Sequence, residues 1–263
     1  MAKADIGKSI GTAISCGASL KRIFPFFLVN LVFLVVIAAF FDNAVSFMSS
    51  VVMKTISFAD VMTIVPAVLS ISVVSIVLFF VTVYFEAGLA DNARNFWLRK
   101  EVSFRKSLKS IKPTYVSLVG ATILVVLISM ILNFIPFVGW ILAIIVSWLF
   151  LFVMPAVVIS KNDAVGGLED SYKIFMKNKL RTFAFWLVLI VISGVFSILA
   201  FVPLFIAALP AFAAVPAVGF IAALKANFAL LIVGGVISSF LLGYVKVFSE
   251  SAKTFYYIQS KKK

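Results

Sequence analysis

Two groups of residues carry whatever chemistry this chain could do. Ser72, Ser75, Thr82 and Glu86 fall, at 100° per residue, within about 80° of one another on one helix face. Hydroxyls leading to a carboxylate could line a hydrated half-channel through an apolar phase. The plainer use is hydroxyls bonding across helices and Glu86 meeting a base. The second group is "KNDAVGGLEDSYKIFMKNKLR", residues 161–181, where Glu169 and Asp170 could act as general acid and base. Both acids stand among lysines at helical spacing, so solvated ion pairs and a helix cap at Asp163 explain them without a reaction. The chain has no histidine and a single cysteine, Cys16. That removes imidazole-ligated metals, Cys-rich zinc sites, intrachain disulfides and His-based triads. Gly166 and Gly167 alone are no phosphate loop and fit close helix packing. Neither a catalytic residue, nor a cofactor, nor a metal is expected.

The elements that must position these residues are set by composition. Hydrophobic residues make up 63% and charged residues 13% of the chain, against about 25% charged in soluble domains. Six runs, at 23–41, 62–85, 114–134, 137–159, 182–206 and 226–248, are long enough to cross about 30 Å of hydrocarbon. The first run is predicted to stay in the protein as a span, since some twenty polar and small residues precede it. The sequence therefore predicts an all-α, polytopic membrane helix bundle of six transmembrane helices in three hairpins, in the cell membrane, as a single domain over 1–263.

Placing both termini in the cytoplasm puts every Lys and Arg except Lys54 and Lys225 on the inner side. Arg94, Arg105, Lys106, Lys109, Lys173, Lys177 and Arg181 are then the expected contacts to anionic membrane lipid, at about 1 kcal/mol each near the surface. Topology accounts for the basic residues, so no nucleic-acid partner is expected.

The inner segments repeat. Asp5, Ser103 and Asp163 are predicted N-caps, each followed four positions on by a small residue (Ser9, Ser107, Gly167) and then an aliphatic one (Ile10, Leu108, Leu168). Apolar positions recur at helical spacing in each: Ile6, Ile10, Ala13 and Ile14; Phe104, Leu108 and Ile111; Val165, Leu168, Tyr172 and Phe175. These read as short cytoplasmic amphipathic helices lying in the interface plane, one before each hairpin. A second repeat pairs Asp91, Ala93, Arg94, Phe96 and Trp97 with Glu250, Ala252, Lys253, Phe255 and Tyr256. Three pseudo-repeats follow, about 1–100, 101–162 and 163–263.

On the outer side, "NFIPFVGW" at 133–140 predicts a tight connection, while 207–225 and 43–60 predict re-entrant or interfacial pieces. Asn30 is expected to bond between helices, Lys225 to snorkel outward, and Gly235, Ser239 and Gly243 to form a close-packing stripe.

The runs "YFEAGLADNARNFWLRKEVSFRKSLKSIKP", residues 84–113, and "FVMPAVVISKNDAVGGLEDSYKIFMKNKLR", residues 152–181, resemble the six-span membrane domain associated with some glycerophosphodiester phosphodiesterases and its stand-alone prokaryotic relatives. In fused members the chemistry resides in a separate soluble barrel that uses histidines and a metal, which this chain lacks. The resemblance implies a six-helix module that anchors or stands beside other functions. The expected function is a non-enzymatic scaffold engaging lipid or a protein partner; transport of a small or lipidic solute is the second reading, and a membrane-embedded lipid-modifying enzyme the third.

Overall fold

In a computed structural model the chain is helical, and among the described residues, 4–52, 58–100, 103–135 and 137–261, there is no strand. Lys3, Lys54, Pro136, Lys262, Lys263 and the side chain of Asp60, which entered the sequence argument, lie outside the described residues. The helices are α1 (Ile6–Gly17), α2 (Leu20–Ala39), α3 (Phe41–Val52), α4 (Phe58–Trp97), α5 (Phe104–Ser110), α6 (Tyr115–Asn133), α7 (Gly139–Leu149), α8 (Val153–Ser160), α9 (Ala164–Lys177), α10 (Lys179–Val218), α11 (Phe220–Ala226) and α12 (Phe228–Lys261).

Among the described residues, six stretches are long and apolar enough to cross a membrane: Leu20–Ala39, Ile64–Trp97, Lys112–Asn133, Gly139–Ser160, Lys179–Pro216 and Phe228–Lys261. Their outward faces are hydrocarbon, as at Val73, Ile76 and Val77 on α4 and Ile198 and Leu199 on α10. Apolar surface of this extent needs lipid as its solvent. The protein is an all-α polytopic membrane bundle with six spanning helices.

Contacts group the chain into two units, the first made of 1–23, 82–195 and 244–263, the second of 24–81 and 196–243. In the first unit the three predicted N-caps form. An Asp5 carboxylate oxygen accepts the Lys8 amide at 3.0 Å, Ser103 Oγ the Lys106 amide at 3.4 Å, and an Asp163 carboxylate oxygen the Gly166 amide at 2.7 Å. Each satisfies one of the amides that a helix start leaves open. The small residue four positions after each cap is buried, and it meets the end of a spanning stretch. Ser9 Oγ accepts from Gln259 of α12 at 2.8 Å, Ser107 Oγ lies 3.5 Å from Asn92 Nδ2 of α4, and Gly167 packs on Val157 of α8. A Cβ on Gly167 would collide with Val157, so only glycine permits that approach.

The fourth span is broken, which the sequence reading did not anticipate. Pro155 has no amide hydrogen, so the Leu151 carbonyl four residues back loses its helical partner, and the chain turns between α7 and α8. Freed backbone groups at membrane depth must be satisfied by protein. Ser171 of α9, fully buried, does this: its hydroxyl donates to the Leu149 carbonyl at 2.9 Å and accepts the Phe152 amide at 3.1 Å. Helix α9 thus closes the gap in the span.

In the second unit, Asn30 Nδ2 donates to the Ser239 carbonyl at 3.1 Å, and Gly235 faces Leu34. The stretch 207–218 continues α10 as helix through Pro203, Pro210 and Pro216, and Gly219, at φ +79°, separates it from α11. Beside Pro203, Ser238 Oγ accepts the Leu204 amide at 3.3 Å, the kind of local repair that lets a spanning helix carry proline. Lys225 pairs with Asp42 of α3 at 3.1 Å.

Candidate functional site

The last turns of α12 are the hub of the first unit. Gln259 pins α1: its Oε1 accepts the Asp5 amide at 2.8 Å while its Nε2 holds Ser9. Ser251 Oγ donates to Cys16 Sγ at 3.5 Å. Tyr256 stacks on Phe185 and Phe152, at 4.2 Å and 5.4 Å between centroids, and all three rings are buried. Phe255 lies 5.3 Å from Trp97 of α4. The residues of the repeated motif, 91–97 and 250–256, are thereby brought against each other.

Two charged clusters hang on this hub. In the first, Glu86 of α4 pairs with Lys246, which lies 3.9 Å from Glu250, which pairs with Lys253 at 2.7 Å. Glu86 and Glu250 are 9% and 3% exposed, and the lysine that faces each offsets part of the cost of burying a carboxylate. Of the predicted polar stripe, the structure brings Glu86 into this cluster. Thr82 is half-buried, Ser75 is exposed, and Ser72 donates back to the Val68 carbonyl of its own helix at 2.7 Å.

In the second cluster, Tyr257 Oη donates to an Asp170 carboxylate oxygen at 2.5 Å, and Lys261 Nζ pairs with the same oxygen at 2.7 Å. Ser160 Oγ lies 2.6 Å from Tyr257 Oη, and Asn162 Nδ2 donates to Asp170 at 3.4 Å. Tyr257, Lys261 and Asn162 all meet one oxygen of Asp170, Oδ2. Its neighbour Glu169 forms an exposed pair with Lys173 at 2.6 Å. Chemically the arrangement is a latch that joins α8, α9 and α12. Among the described residues no group of acids, Cys or His could hold a metal ion.

The predicted lipid contacts sort differently. Arg105, Lys106 and Lys109 on α5 and Lys177 on α9 are exposed, Arg94 and Arg181 are half-buried, and none of these six has a carboxylate within ion-pair distance among the described residues. Buried Glu86 and Glu250 and the less exposed Asp170 thus have lysine partners, while Arg105, Lys106, Lys109 and Lys177 stand exposed without an acid partner among the described residues. Phe175, placed by the sequence on the outward stripe of α9, instead turns inward against Trp148 at 4.6 Å. The inner face of α9 is Gly167, Ser171, Ile174 and Phe175. Cys16 is fully buried, and burial pushes its thiol up from its ordinary range against the pull of Arg22.

Sequence reasoning passed over Lys246, Tyr257, Lys261, Ser171 and Gln259. For Lys246 a signal existed: Glu86 and Glu250 each need a cation, and Lys246 lies one helical turn before Glu250. Pro155 announced the broken span. Nothing in the local sequence announces Tyr257 as the partner of Asp170, since the two are 87 positions apart.

A family model described as "Domain of unknown function (DUF7847)" matches residues 116–256, just over half of the chain. The matched stretch includes Ser171, Asp170, Lys246 and Glu250. No curated protein and no solved structure matches the chain.

Proposed function

The chain belongs to that family, and we propose that it is a non-enzymatic multi-pass protein of the cell membrane, a scaffold whose in-plane helices engage anionic lipid on the cytoplasmic side, with both termini there. The observation that carries this reading is the separation of charge: buried acids paired inside, unpaired cations on α5, α9 and their flanks outside. Near an anionic leaflet such cations contribute about 1 kcal/mol apiece.

The distribution of residues around α9 supports the in-plane reading. At 100° per residue its buried face, from Gly167 to Phe175, adjoins an outward apolar sector of Val165, Leu168, Tyr172 and Met176, and then a charged sector of Glu169, Lys173 and Lys177. Val165 is 64% exposed, which suits contact with lipid and not with water. The module implied by the resemblance to the phosphodiesterase-associated membrane domain, one that anchors or stands beside other functions, agrees with this reading.

Extraction in native lipid followed by mass spectrometry tests it. Anionic lipid should be retained above its share of the bulk membrane, and the excess should fall toward that share when Arg105, Lys106 and Lys109 are all replaced by Gln. These residues are exposed, so each change should cost no more than about 0.5 kcal/mol of stability. Absence of any excess in the unmodified protein contradicts the proposal. A second reading, transport, is favoured by the charge string Glu86, Lys246, Glu250 and Lys253 at the ends of two spanning helices. Solute flux in liposomes that falls on Glu86→Gln would select it.

A further inference from the structure

We propose that the basin between the start of α2 and the start of α5 is a discrete binding site for a phosphate monoester, carried either by a lipid headgroup or by a soluble molecule. The basin encloses about 410 Å³ and is lined by Ser19, Lys21, Arg22, Asn92, Ser103 and Lys106. That volume is in the range of small-molecule sites and well above what one phosphate fills, which leaves room for an attached glycerol-sized group.

Arg22 is held as a preformed donor. Its Nε donates to Asn92 Oδ1 at 2.7 Å, its Nη1 donates to the Cys16 carbonyl at 2.8 Å, and its guanidinium carbon lies 4.9 Å from the centre of the Phe96 ring. All three of these neighbours are neutral, so the plane of the fork is fixed while no carboxylate among the described residues lies within ion-pair distance of it. Arg carries five N–H donors, and two are committed. The remainder can serve an anion. Asn92 is itself buried and lies beside Ser107, so the fork rests on the body of the first unit.

Lys21 and Lys106 complete the basin, both exposed and both without a carboxylate at ion-pair distance among the described residues. No acid lines it. Three cations around one basin repel one another, and a dianion relieves that repulsion while accepting charge-assisted hydrogen bonds. Serine hydroxyls at Ser19 and Ser103 add donors of the kind phosphate oxygens accept. The membrane-surface reading treats cations as a diffuse field; this site deepens it by assigning one stoichiometric pocket, and it rests on that reading only for the lipid source of the phosphate.

The test is titration of the purified full chain in neutral detergent with two probes, glycerol 1-phosphate and dihexanoyl phosphatidic acid, followed by calorimetry. Saturable one-to-one binding is expected, weakened about tenfold by Lys21→Gln or by Lys106→Gln, each of which removes one charge-assisted contact. Lys112→Gln, on an exposed residue outside the basin, should leave binding within about twofold. Binding of the phosphatidic acid alone assigns the site to lipid, and equal binding of glycerol 1-phosphate assigns it to soluble phosphate esters. Absence of saturation with both probes overturns the proposal. Equal weakening by Lys112→Gln and Lys21→Gln also overturns it, while leaving the diffuse membrane-surface reading intact; loss of lipid enrichment in native membranes with the basin still saturable does the reverse.

Discussion

Replacing Lys246 by Met should lower the stability of the protein by about 3–5 kcal/mol, the cost of stranding a buried charge. The methionine has nearly the volume of the lysine stem, so packing is preserved and the loss is electrostatic. Glu250 keeps Lys253 at 2.7 Å, but Glu86, 9% exposed, loses the lysine that faces it. The double replacement Lys246→Met with Glu86→Gln removes both charges together. It should recover most of the loss, because a buried pair replaced as a unit is often neutral. Detergent-denaturant titration of the three proteins in mixed micelles reads the effect. A Lys246→Met midpoint equal to the unmodified protein's would contradict the assignment of the pair as the neutralising contact.

The other large effect is expected at Phe152. This ring is fully buried in the break between α7 and α8, stacked against Tyr256 and 6.0 Å from the Phe185 centroid. Truncating a buried Phe to Ala costs about 3–5 kcal/mol in soluble cores; here the lower end, about 3 kcal/mol, is expected, because the spans are solvated by hydrocarbon and van der Waals packing remains as the chief loss. The damage should also spread. The Phe152 amide and the Leu149 carbonyl share the Ser171 hydroxyl, so collapse into the cavity shifts the one group that closes the broken span. Amide hydrogen exchange should therefore rise at residues 149–153 and in α9, while α3 and residues 24–39 of α2, in the second unit, exchange as before. Unchanged exchange in α9 would show that the aromatic stack does not position that helix.

What could be read from the sequence was local. Asp5, Ser103 and Asp163 cap their helices because a cap depends on three or four consecutive residues, and the six spans follow from runs of hydrocarbon. What could not be read depends on partners distant in the chain. Span four was read as continuous because 137–159 is uniformly apolar; the proline break is tolerated there only because Ser171 arrives from α9. The stretch 207–225, too apolar for a free loop, reads as re-entrant or interfacial; its local structure is helix, to Val218 in α10 and again in α11, with Ser238 accepting the Leu204 amide beside Pro203. On α9, Val165 and Tyr172 are exposed while Phe175 is buried against Trp148, since helical periodicity places residues on faces without saying which face the Trp148 ring will cover. Of the site, Glu86 and the surface cations were legible from charge alone. The pairing of Asp170 with Tyr257 and Lys261 was not.

The central claim, that α9 lies in the plane of the membrane with its outward apolar sector in lipid, is tested most directly by the depth of a spin label at Val165→Cys. The native Cys16 does not interfere, since it is buried and its thiol is held protonated by desolvation. In nanodiscs containing anionic lipid, the label at 165 should be relaxed by molecular oxygen and shielded from a water-soluble nickel chelate. A label at Lys173→Cys, in the charged sector, should show the opposite. Equal relaxation of both labels by the nickel chelate would put α9 in water and contradict the claim.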